Sequence, residues 1–134
     1  MVKQIFVNLP IKDLAKAKAF FSALGFTFNP QFTDEKAACL VLGEHIYSML
    51  LTEKFFKTFI QKEIADAHAS TEVLNALQLE SKQLVDEMVA RAAAAGGKDL
   101  RTEDYGWMYG RAFEDLDGHI WEVFWQDEKQ RPKQ

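Results

Sequence analysis

Branched and aromatic residues over Ile5–Leu9 predict a short strand, which Pro10 ends. Asp13 then suits the N-cap of a helix running to about Leu24, with Leu14, Ala17, Phe20, Phe21 and Leu24 along one stripe. Gly25 stands where a helix C-terminus favours glycine. Three strand candidates follow at Phe26–Phe32, Ala37–Leu42 and Ile46–Leu51, separated by Asp34-Glu35 and Gly43-Glu44. The same order then recurs. Val73–Leu79 reads as a strand, and Ser81 caps a helix striped by Leu84, Val85, Met88, Val89 and Ala92. Gly96-Gly97 ends that helix, and strands follow at about Lys98–Thr102, Trp107–Glu114 and His119–Trp125.

The pattern is βαβββ twice over, an α+β plan. The copies also share residues: His45-Ile46-Tyr47-Ser48-Met49-Leu50 aligns with His119-Ile120-Trp121-Glu122-Val123-Phe124 at an offset of 74. Between them, Thr52–Ser70 predicts an amphipathic connector helix carrying Phe55, Phe56, Phe59 and Ile60 and then a polar, Ala-rich link, read either as a docked connector or as a lid over a pocket. The chain of 134 residues is read as one domain: module 1 about 1–52, connector 53–70, module 2 about 71–126 and a polar tail 127–134.

Composition narrows the classes. With 48% hydrophobic and 27% charged residues, the chain has enough apolar material for an ordinary globular core. A formal net charge of −4 without a concentrated basic patch argues against nucleic acid as a partner. The single cysteine, Cys39, excludes an intrachain disulfide and sits in an apolar run, so it reads as a small buried hydrophobe. No apolar stretch approaches the roughly 20 residues of a membrane span. A cytoplasmic protein is expected.

Candidate chemistry centres on Glu122. In strand alternation it shares a face with Ile120 and Phe124, while His119, Trp121, Val123 and Trp125 take the other. A carboxylate among apolar side chains needs a metal, a cation or a proton as partner. Arg111 and Arg101 are the nearest cations by topology. Either the pair is structural, or Glu122 binds a ligand or exchanges a proton. Tyr105, Trp107, Tyr109 and Arg111, interleaved with Gly106 and Gly110, suit an aromatic-lined cleft or else a core and dimer interface. Asn8 and Asn75, in the opening strands, offer amides that bind a ligand or bridge strands. His68 falls in the polar connector and is expected to be solvated.

Three stretches carry a resemblance: Asn8–Leu14, Ala19–Phe26 and Phe113–Glu122. Together they resemble the vicinal oxygen chelate superfamily, which includes glyoxalase I, bleomycin-resistance proteins and extradiol dioxygenases. The resemblance implies paired βαβββ modules whose curved mixed sheets enclose a cavity, commonly in a homodimer. It implies a divalent metal in some members, held from the first and last strands of each module. Those positions correspond here to Phe6, Ser48, Leu74 and Glu122. Three of these are poor ligands for a divalent ion, so no cofactor is expected; if a metal binds, Glu122 is its ligand. The expectation is a protein binding a small organic molecule in an apolar, aromatic-lined cavity with Glu122 as its main polar group. The alternatives are a metal-dependent lyase or isomerase resembling lactoylglutathione lyase, and a non-catalytic drug- or metabolite-sequestering protein.

Overall fold

The structure is a computed structural model that describes residues 1–130; the last four residues of the expected polar tail lie outside it. The chain forms two compact units, Met1–Asp66 and the part from Ala67 onward. Each has a four-stranded mixed sheet, which realises the doubled βαβββ plan.

In the first unit, β1 (Ile5–Ile11) leads into α1 (Leu14–Ala23), then β2 (Thr27–Asn29), β3 (Ala37–Gly43) and β4 (Ile46–Thr52). The sheet order is β1-β4-β3-β2, with β1 parallel to β4 and the remaining pairs antiparallel. Asp13 caps α1 by accepting from Lys16 N at 3.0 Å, and Gly25 at φ 102° lets the chain leave the helix. Ala17, Phe20, Phe21 and Leu24 are buried, and removing each Phe from water contributes roughly 2–3 kcal/mol. The strand expected over Phe26–Phe32 stops at Asn29. Pro30 has no N–H for the ladder, and the Asn29 carboxamide accepts from Gln31 N at 2.9 Å, so Pro30–Phe32 form a 3₁₀ turn.

The connector is also shorter than the amphipathic spacing predicts. Its helix, α2 (Glu53–Lys57), spans five residues. Its four apolar side chains cover little more than one turn, too short a stripe to hold a longer helix.

The second unit contains β5 (Leu74–Gln78), α3 (Lys82–Ala94), β6 (Lys98–Asp104), β7 (Met108–Glu114) and β8 (Ile120–Gln126), in sheet order β5-β8-β7-β6. Ser81 caps α3 by accepting from Leu84 N at 3.1 Å. Val85, Val89 and Ala92 on α3 are buried, as are Phe113, Trp121 and Val123 on the sheet. Among the described residues no helix is long and apolar enough to cross a membrane.

Candidate functional site

Side-chain alternation gives each sheet a face packed on its long helix and a face turned away from it. In the first unit, Leu9, Ile11, Ser48 and Leu50 are buried on the α1 side. Asn8, Met49 and Leu51 take the other side, where Asn8 pairs with Met49 in register. There they join Phe55, Phe56, Phe59 and Ile60, from α2 and the residues after it, around a cleft of about 520 Å³. That volume suits a small organic ligand. Phe55 and Phe59 stack edge-on with centroids 5.0 Å apart, and Lys36 Nζ lies 5.3 Å from the Phe55 ring centre. Asn8 is the one polar side chain of the lining, and its Nδ2 donates only a long 3.4 Å bond to the Phe6 carbonyl. Phe6 and Tyr47 stack beside it on the same face, 4.8 Å apart and 13° from parallel.

In the second unit, Glu122 pairs with Ala112 of β7 and Ala76 of β5, and lies on the face away from α3. Its partner is Arg101: Nη2 donates to Glu122 Oε2, while Nη1 donates to Glu103 Oε1 at 2.9 Å. The Tyr105 hydroxyl closes the chain on Glu103 Oε2 at 3.0 Å, which raises the phenol above its ordinary pKa. A register shift makes this possible. In β6, Asp99 pairs with Phe113 but Arg101 pairs with Ala112, so a bulge at Leu100 turns Arg101 to the face opposite Asp99.

Tyr109 and Arg111 point the other way. The Tyr109 hydroxyl donates to Asp86 Oδ1 on α3 at 2.6 Å; Arg111 Nη1 donates to the same oxygen at 2.9 Å and Nη2 to Asp99 Oδ2 at 2.6 Å. The hydrogen bond from Tyr109 lowers the Asp86 pKa, and the same bond raises that of Tyr109. The link between β6 and β7 parts the Tyr105–Arg111 stretch: Tyr105 lies in that link, whereas Tyr109 and Arg111 share one face of β7. Tyr109 and Arg111 tie the sheet to α3, Tyr105 joins the Arg101 chain, and half-buried Trp107 binds Asp127 N through its carbonyl at 2.7 Å. Asn75 lies on the α3 side, where its Nδ2 is buried without a hydrogen-bond partner. Cys39 is buried, and burial raises its thiol pKa.

The repeat also changes register in three dimensions. The offset of 74 equates Ser48 with Glu122, but Ser48 is fully buried on the α1 side and donates to the Val7 carbonyl at 2.9 Å. The turns explain the difference. Before β4 the positive-φ residue is His45 (66°), and before β8 it is Gly118 (89°). A bulge between Val41 and Gly43 accompanies the first. Aligned on these turns, the counterpart of Glu122 is Met49, a wall of the cleft. The donor set does not fit a divalent ion. Phe6 and Leu74 offer no donor, Ser48 faces the core, and Glu122 is held by Arg101. Among the described residues no three His, Cys, Asp or Glu side chains converge as a metal would require.

Asp115 escaped the sequence reading of the motif. It is buried, Oδ1 accepts from Asp117 N and His119 N at 2.9 and 3.0 Å, and Oδ2 accepts from Trp121 Nε1 at 2.9 Å. Burial raises its pKa against the opposing pull of His119 and these bonds. The spacing Asp115-x-Asp117-Gly118 was the available signal, since Asp side chains commonly accept from the backbone two residues on.

Comparison with known proteins bears on the fold. Residues 3–43 match the bleomycin resistance protein-like N-terminal family. No curated protein matches by sequence. Among solved structures, a hypothetical protein from S. aureus is 29% identical, with 92% of this chain and 94% of that one covered and a TM-score of 0.78. A glyoxalase-related enzyme from Fulvimarina pelagi shows 19% identity, 93% and 89% coverage and a TM-score of 0.78. A fosfomycin resistance protein from Listeria monocytogenes shows 20% identity, 98% and 100% coverage and a TM-score of 0.68.

Proposed function

We propose that this chain, a vicinal oxygen chelate superfamily protein with a glyoxalase/bleomycin-resistance-like fold, binds a small, largely apolar organic molecule in the first unit without a metal. One observation carries this reading: the cleft of about 520 Å³ walled by Phe55, Phe56, Phe59, Ile60, Met49 and Leu51, with Asn8 as its one polar side chain. An apolar wall with a single amide favours a neutral, flat ligand bearing one hydrogen-bonding group. A cationic ligand would lose hydration there and find no counter-ion in the lining.

Sequestration accounts for the cleft better than turnover does. Among the described residues its lining holds no titratable side chain, so it supplies no general acid or base. The match to the bleomycin resistance-like family favours the same reading. Glu122, the proton-transfer candidate of the sequence, is assigned instead to the ion-pair chain of the second unit. A thermal-shift screen against neutral aromatic compounds tests the proposal. Ligand at 100 times its Kd adds about 2.7 kcal/mol of stability. Asn8→Ala and Phe56→Ala are each expected to weaken a hit about tenfold, the equivalent of roughly 1.4 kcal/mol. Hits unaffected by both substitutions would overturn the assignment.

A further inference from the structure

Glu122 is the carboxylate that a metal-binding member of this fold would need, yet nothing around it supplies a second ligand from the neighbouring strands. Its register partners are Ala76 and Ala112, and Ile120 and Phe124 flank it along β8. Its side chain is 25% exposed. An anion so placed has lost much of its water, and its stability depends on one nearby positive charge.

We infer that Arg101 is the resident cation of this face: it takes the place of a divalent ion at Glu122 and is the residue that excludes one. Three observations carry the inference. The guanidinium bonds Glu122 and Glu103 at once, so it bridges two carboxylates as a metal would. The bulge at Leu100 brings it there, because Asp99 on the same strand lies on the α3 side with Arg111. Arg111, the other arginine near Glu122 in the sheet, is committed to Asp86 and Asp99 on the opposite face. An arginine remains charged at all relevant pH and offers two parallel donors, so it satisfies both carboxylates without an ion from solution.

Removing the guanidinium leaves Glu103 and Glu122 without the cation that bridges them, two carboxylates of the kind a hard cation takes. Titration of the full chain with Mn²⁺, followed by calorimetry, tests this independently of the cleft in the first unit. Arg101→Ala is expected to bind Mn²⁺ at least tenfold more tightly than wild type, and Arg101→Ala/Glu122→Ala is expected to lose the gain. Arg101→Gln, which retains much of the stem, is expected to show the same gain and serves if the alanine variant does not fold. Equal affinity in wild type and variant overturns the inference, as does a gain that survives loss of Glu122. Failure of both single variants to fold also overturns it, because the pair is then a folding element. Altered Mn²⁺ affinity bears on Arg101 alone; loss of organic-ligand binding bears on the cleft.

Discussion

Met49 stands in the first unit where Glu122 stands in the second: each lies four residues past the positive-φ residue of its turn, on the face away from the long helix. The repeat therefore preserves a position while exchanging its chemistry, a thioether beside an apolar cleft for a carboxylate beside an arginine. Ser48, one residue earlier, is wholly buried on the other face.

This relationship predicts opposite tolerance at adjacent positions. Ser48→Glu would bury an unpaired carboxylate and is expected to cost more than about 3 kcal/mol or to prevent folding. Met49→Glu, on the cleft, is expected to cost clearly less. Urea unfolding of both variants decides; equal losses would sink the 73-residue register.

Gly118 and Gly106 both have positive φ, at 89° and 82°, but differ in space. A Cβ on Gly118 would lie 2.7 Å from His68 N and 2.8 Å from the Ala67 carbonyl carbon, whereas one on Gly106 meets nothing within 4 Å. Gly106→Ala is expected to cost about 1–2 kcal/mol, the left-handed strain alone. Gly118→Ala should cost at least about 2 kcal/mol more, because backbone must move. Thermal melts of the two variants give the comparison.

Asp115 predicts a pH dependence. Its folded pKa is raised above the ordinary 3.8, chiefly by burial, so the folded state binds the proton more tightly than the unfolded state. The contribution is complete below about pH 3.8 and is lost as pH rises through the folded value. Asp115→Asn cannot titrate and leaves one of the three donors unmatched, a loss of about 1–3 kcal/mol. The stability advantage of wild type over this variant should therefore shrink from pH 4 towards pH 7. A difference that stays constant across that range would show that Asp115 does not titrate abnormally.

Arg111 ties β7 to α3 and to β6, with its side chain 19% exposed between two half-exposed carboxylates. Arg111→Met keeps the stem but leaves Asp86 and Asp99 without their cation, and is expected to cost about 1–3 kcal/mol. Tyr109→Phe removes one bond to Asp86 and is expected to cost about 1 kcal/mol. Chemical denaturation should rank them in that order, and organic-ligand binding in the first unit should survive both. Loss of that binding would place these residues in the ligand site after all.

Much of the fold was legible because its signals are local. Asp13 and Ser81 cap helices where their side chains meet backbone N–H groups three residues on, and Gly25 and Gly118 take the positive φ their positions require. The apolar stripe Ala17, Phe20, Phe21 marked the buried side of α1. The site was less legible. Asn8 and the connector phenylalanines were visible as candidates, but their meeting around one cleft depends on where α2 packs. Tyr105, Tyr109 and Arg111 looked like one aromatic surface, yet the sheet divides them between two networks.

The residues alone determined the order βαβββ-βαβββ, the caps of the two long helices and the anomaly of one carboxylate among apolar neighbours. Tertiary structure alone decided which face of each strand turns to a helix and what its side chains meet there. Strand parity runs along each strand, and a single bulge reverses it for the residues that follow on that strand. The bulge at Leu100 gave Glu122 an arginine, and the shifted turn before β4 put Met49, not Ser48, at the matching place. Neither displacement has a local sequence signature, because each is stabilised by partners on other strands.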